Sequence, residues 1–358
     1  MAQNTGHKQA LIIGQGALLP DRHPTADFFV CDIFDASPKD DLASMEHPIF
    51  SLATRPDRRE LSYVHNGSEV RIIPSVKGRA TIHDKDILIY CISQLMAALN
   101  AGREVSRQIT LKAHDLLVAT NRDTSGDAYA RLRDGFERLA GTRITTNIST
   151  GGEETTRGFG LIESWEIVRK SRGGRMVSVS VTLSDWLFRA VLSKSVLTLS
   201  RDYFRLRKPL ERRVYELARK HCGRQAEWQI GIGTLHKKAG SAAPVRVFRA
   251  AIRRMIAADL LPDYTLSEAS GDILVVARRG AVTEPAGPGT PVLATQTFEC
   301  ARDLVPGADV YALEAEWRGF WHATGRPHLT SPDKAFLGWL RGRTPQGGRS
   351  RPKTRCAP

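Results

Sequence analysis

Twice along this chain the spacing of apolar residues predicts the same run of elements: helix, strand, helix, helix, hairpin. The second run is the more compact. RKPLERRVYELARKHCG predicts a helix that opens at Pro209 and stops at Gly223. EWQIGIGTLHKKAG follows as a short strand and a short helix, and PVRVFRAAIRRMIAADLL as an amphipathic helix over 244–260. DYTLSEASGDILVVARR closes the run as a hairpin turning at Ser270-Gly271.

The first run begins with a helix over 85–100. Its apolar positions Ile87, Tyr90, Cys91, Leu95, Met96 and Leu99 recur at steps of three and four, behind a cap at Asp84 or Asp86 and ahead of a stop at Gly102. QITLKAHDLLVATN predicts a short strand and helix, and SGDAYARLRDGFERLAG a longer helix with Ala128, Leu132, Phe136 and Leu139 on one face. TRITTNIST, GFGLIESWEIVRK and RMVSVSVTLS predict three antiparallel strands joined by the turns TGGEETTR and SRGG. Upstream, IFSLATRP and ELSYVHNGSEVRIIPS predict strands around the turn at Asn66-Gly67.

A helix pair followed by a hairpin is the order of a winged helix, which presents its second helix to the DNA major groove. The expected fold class is α+β, with two tandem winged-helix domains followed by a small helical C-terminal module. The expected boundaries are a weakly structured acidic segment over 1–45, winged-helix domains over 46–200 and 201–280, a Gly/Pro-rich linker over 281–298, a helical module over 299–342 and a basic tail over 343–358. In the module, Ser331 and Pro332 open a second helix, and Trp317, Phe320, Trp321, Phe336 and Trp339 are candidates for an aromatic core.

Charge narrows the function. The chain carries 52 Lys and Arg against 38 Asp and Glu, a net of +14. Residues 201–258 hold fifteen basic and four acidic residues, whereas residues 1–47 hold three and seven. A concentrated surplus of that kind repels itself unless an anion offsets it, and the commonest such anion is nucleic acid. No apolar run approaches the ~18 residues of a membrane span. The N-terminal ALIIGQGALLP is broken by glycines and does not read as a secretory signal, and the five cysteines form no Cys-x-x-Cys pair. A cytoplasmic protein is expected.

The candidate DNA contacts are arginines and lysines. On the helix over 244–260, Phe248, Ile252, Met255 and Ile256 share one face, while Arg246, Arg249 and Arg253 form a stripe opposite, with no acid on the helix to neutralise it; Arg254 adds a fourth cation. A guanidinium fork donates two parallel hydrogen bonds, which suits guanine edges and phosphates alike. Lys237 and Lys238 precede this helix as phosphate contacts. The equivalent helix over 125–140 mixes Arg131, Arg133 and Arg138 with Asp127, Asp134 and Glu137, so the basic turn Arg169, Lys170, Arg172 and Arg175 is the better candidate in that unit.

Catalysis finds no support. The phosphate-binding string Gly-x-x-x-x-Gly-Lys-Ser/Thr is absent, the ten histidines include no His-x-His pair, and no paired-cysteine zinc pattern occurs. Asp84 and Asp86 could hold Mg²⁺, but capping accounts for them. No cofactor or metal is expected, and no enzymatic activity.

With those residues read, the sequence resembles the plasmid replication initiator protein A family of proteobacterial plasmids and some phages. The resemblance rests on CDIFDASPKDDLASMEHPIFSL, GTRITTNI, LSRDYFRLRKPLERRVYELARKHCG, DVYALEAEWRGFWHATG and SPDKAFLGWLR, which together span most of residues 27–342. It implies a binder of double-stranded origin DNA, at repeated sites, that recruits host replication proteins such as an initiator and a helicase and takes part in plasmid copy control. It also implies a homodimer that converts to monomer. The residues themselves leave two alternatives open: a winged-helix transcriptional regulator acting on its own gene, and a relaxase-like enzyme that nicks the origin.

Overall fold

The computed structural model describes residues 18–23, 38–41, 44–45, 47–65, 68–150, 153–169, 176–223, 225–279, 291, 293–305, 310–325 and 329–343. Both runs are present. The first comprises α1 (Lys85–Asn100), β4 (Gln108–Leu111), α2 (Ala113–Ala119), α3 (Gly126–Gly141) and the hairpin β7 (Ile162–Arg169) and β8 (Met176–Leu183). The second comprises α5 (Pro209–Cys222), β10 (Glu227–Gly231), α6 (Ile232–Ala239), α7 (Val245–Ala258) and the hairpin β11 (Tyr264–Ala269) and β12 (Ile273–Arg278).

The pairing is the same in both. The lone strand lies against the second strand of the hairpin, giving the orders β4-β8-β7 and β10-β12-β11, all antiparallel. Alternation explains the faces: Trp228, Ile230, Leu266, Leu274 and Val276 are buried, while the alternate residues Gln229, Thr265, Ser267 and Val275 are more exposed. The predicted face of α3 is also inward, with Ala128, Leu132, Phe136 and Leu139 all buried.

The strands between α3 and the first hairpin differ from expectation. Four strands stand where three were predicted, because TGGEETTR is largely strand: β5 (Arg143–Thr150) pairs with β6 (Glu153–Gly160). These two do not extend the hairpin sheet. They join β2 (Leu61–His65) and β3 (Ser68–Ile73) in a separate sheet of order β2-β3-β5-β6. The β-branched threonines of β5 and β6 favour that extended geometry. Asn66-Gly67 lies outside the described residues.

The acidic N-terminal stretch is not uniformly loose. β1 (Lys39–Asp41) pairs antiparallel with β9 (Val196–Thr198), just after α4 (Asp185–Leu192). Asp40 and Asp41 are buried there. A burial of charge continues along the seam between the two runs. Lys85 Nζ, fully buried, lies 2.6 Å from Asp40 and 3.0 Å from Glu216 of α5. Asp86 accepts from Arg212 of α5 at 2.6 Å and from Arg122 at 3.0 Å. Arg213 donates to Glu216, to the Met45 carbonyl and to the Lys238 carbonyl. Asp86 therefore does not cap α1. Asp84 stands at its N-cap position, but its side chain makes no capping bond to the helix; it accepts from Thr81 N and from Arg138. Buried ions need partners of this quality, because an unpaired one costs several kcal/mol.

This seam also explains part of the basic block. Arg212, Arg213 and Lys220 are inside the protein, so the surplus over 201–258 is not all surface charge. One hydrophobic core runs under both units, from Met45 to Val276.

The C-terminal region has its own core. Three helices build it, one more than expected: α8 (Thr295–Leu304), α9 (Val310–Ala323) and α10 (Pro332–Arg343). Phe298, Trp317 and Phe336 pack with Leu293, Ala301 and Leu340. α8 begins inside the stretch read as linker, whose residues 280–290 lie outside the described ones. Of the five aromatic candidates, Trp317, Trp321 and Phe336 are buried and Trp339 packs on the cluster; Phe320 remains 52% exposed. No helix is long and apolar enough to cross a membrane among the described residues.

Candidate nucleic-acid interface

The surface that merits a functional reading is the solvent side of α7. Its opposite side is anchored by Phe248, Ile252 and Met255, all buried. The turn before it is set by two contacts. Gly240 has φ +65 and approaches Pro48 so closely that a Cβ would sit 2.5 Å from the proline Cβ, which no other residue tolerates. His236 then bonds the Ala243 carbonyl at 2.7 Å and stacks edge-on against Phe248. The two helices α6 and α7 are thus held at a fixed angle from within.

The arginine stripe divides. Arg249 donates both arms of its fork to Asp272, at 2.6 and 2.7 Å, and Arg253 donates both arms to Glu268, at 2.8 Å each. Those carboxylates come from the β11–β12 hairpin. Asp272 sits in its turn at φ +62, following Gly271 at φ +81, and its own carbonyl accepts from Ile232 N at the start of α6. The forks hold both carboxyls below the usual carboxylate range, chiefly through these side-chain hydrogen bonds. The absence of acid on the helix is real, but the hairpin supplies it. The stripe is thus a pair of clamps between helix and hairpin.

Arg246 and Arg254 are different. Both are exposed, and neither has an ion-pair or hydrogen-bond partner among the described residues. Lys237 on α6 is exposed and equally unpaired, while Lys238 is half-buried and engaged. Arg246, Arg254 and Lys237 are thus cations of α6 and α7 that the hairpin carboxylates do not hold.

The first unit presents a weaker field. On α3, Arg133 pairs with Glu137 at 3.2 Å, and Lys77 reaches Asp134 and Glu137. Arg131 is exposed, without a partner among the described residues. Arg138 is turned inward, its fork on both oxygens of buried Asp84 at 2.7 and 2.8 Å; it is an internal strut, because releasing it would strand that carboxylate. Arg169 ends β7, its side chain outside what is described, and Lys170, Arg172 and Arg175 lie outside the described residues. No group of three or more His, Cys, Asp or Glu could hold a metal among the described residues.

Comparison with known proteins gives the chain's family and its likeness in fold. Residues 39–266 match the family described as replication initiator protein A. The chain belongs to that family. A protein of Wigglesworthia glossinidia brevipalpis, described as "Putative replication protein", is 37% identical over 244 residues, 67% of this chain and 88% of that protein. Among solved structures, domains 2 and 3 of RctB match at TM-score 0.50 and 15% sequence identity, over 68% of this chain and 98% of that one. That last likeness is one of fold.

Proposed function

We propose that this replication initiator acts as a sequence-specific binder of double-stranded origin DNA, through two tandem winged-helix units bounded near residues 46–200 and 201–280. The observation that carries this reading is the α7 surface: a helix seated by buried apolar residues, flanked by a hairpin, whose exposed Arg246 and Arg254 have no partner among the described residues. A helix of ordinary diameter fits the major groove, and two unpaired arginines beside the lysine at α6 match its electrostatics. The hairpin β11–β12 takes the place of the wing. In the first unit, Arg131 takes the backbone, together with the basic residues that lie between β7 and β8 in the sequence. The protein's part is to bind and mark the plasmid origin, and catalysis comes from host replication proteins recruited there. The C-terminal helices form a separable module.

The test is a titration of duplexes from the replication origin and of shuffled duplexes at one fixed salt concentration. Specific binders of this type exceed their random binding by about 10³-fold or more. A ratio near one would sink the reading, and a covalent protein–DNA product with Mg²⁺ or Mn²⁺ present would replace it with a nicking enzyme.

A further inference from the structure

We propose that α7 reads thymine 5-methyl groups, through an apolar strip made by Val247 and Ala250 between Arg246 and Arg254. The inference rests on the DNA-binding reading above and goes beyond it by naming what the helix recognises. Val247 is 45% exposed, one of few large apolar side chains on the described surface, and Ala250 beside it is exposed as well. Arg246, Ala250 and Arg254 recur at i, i+4 and i+8, and Val247 precedes Ala250 by three positions, so all four share one face. Arg249 and Arg253 lie on the neighbouring stripe, where Asp272 and Glu268 hold them to the hairpin. The stripe nearest the hairpin is therefore occupied, and the face available to the groove is the mixed one.

The chemistry of that face is restrictive. An exposed valine is held out in water at a cost unless a partner covers it. In the major groove of unmodified DNA the apolar group on offer is the thymine methyl, and alanine and other small apolar side chains meet it there. The flanking guanidiniums bring the duplex in and add guanine or phosphate contacts on either side. The arrangement fits a site that alternates thymine with guanine or backbone contact. A protein partner would also cover an apolar strip, but two unpaired arginines at its borders suit a polyanion.

The experiment uses the full chain and duplexes that it enriches from a random-sequence pool. Each thymidine of an enriched duplex is replaced in turn by deoxyuridine, which removes the methyl and leaves the hydrogen-bonding edge unchanged. At one or more positions affinity should fall about fourfold, the effect of one buried methyl. In the Val247→Ser chain, thymidine and deoxyuridine at that position should bind alike. Arg249→Gln should instead weaken both versions by the same factor. Indifference to the methyl at every position, with enrichment intact, overturns the proposal and assigns the strip to a protein partner. Failure to enrich any sequence overturns the DNA-binding reading itself.

Discussion

Helices α3 and α7 stand at the same place in the two runs, yet they use their arginines in opposite ways. Arg138 of α3 points into the protein and satisfies Asp84, whose side chain is 5% exposed. Arg249 and Arg253 of α7 point along the surface to carboxylates of the hairpin, and Arg246 and Arg254 to solvent. Repetition of a topology therefore does not repeat a surface. Both helices are seated by apolar packing, but the first adds an internal ion pair through Arg138, whereas the second keeps its ion pairs on the surface and leaves Arg246 and Arg254 without a partner among the described residues.

That contrast fails or holds on measurable grounds. The largest effect should come from Arg138→Ala. Removing one member of a mostly buried pair costs about 3–5 kcal/mol, read as a shift in urea unfolding. A loss well under 1 kcal/mol would mean that Arg138 is not a strut and is available to DNA. Arg246→Ala comes next: specific binding should weaken by about 1–3 kcal/mol with random binding less affected. Arg131→Ala in the same titration should lower both alike and reduce the salt slope by about one. If the two variants behaved identically, the helices would be equivalent after all.

The last effect, read as a slope across pH, concerns the seam that joins the units. Burial pushes the Asp40 carboxyl up to about 8, a shift that Lys85 opposes without cancelling, against an ordinary value of 3.8. Between those limits the folded chain binds more protons than the unfolded one, so this group's contribution is complete below about pH 4 and declines as pH rises towards 8. Asp40→Asn removes that titration, and its urea midpoint should vary less across the window than that of the unchanged chain. An identical slope in both proteins would place the proton elsewhere.

Legibility in the sequence followed the range of the interaction. The inward face of α7 could be read from Phe248, Ile252 and Met255 alone, because helical periodicity is local. The clamps could not: Arg249 meets a carboxylate 23 residues downstream and Arg253 one 15 downstream, across a turn whose geometry no spacing rule encodes. A signal was present, since Glu268 and Asp272 are the acids flanking the Ser270-Gly271 turn, but only their pairing gives them meaning. Arg212 finds Asp86 across 126 residues, so a buried arginine was indistinguishable from a surface one. Likewise β6 hid within TGGEETTR because its glycines look like a turn, while the partner that makes it a strand is β5 in a sheet completed by β2 and β3.

Lys85 depends on two carboxylates that are neighbours in space but distant in sequence, Asp40 ahead of the first run and Glu216 within the second. During synthesis its two carboxylates emerge far apart in time, the second only after every element of the first run has been made. Until α5 arrives, α1 holds a lysine and an aspartate that await their full complement of partners. The two runs share these buried ions, so the first has its full set of ionic partners only when the second is packed against it.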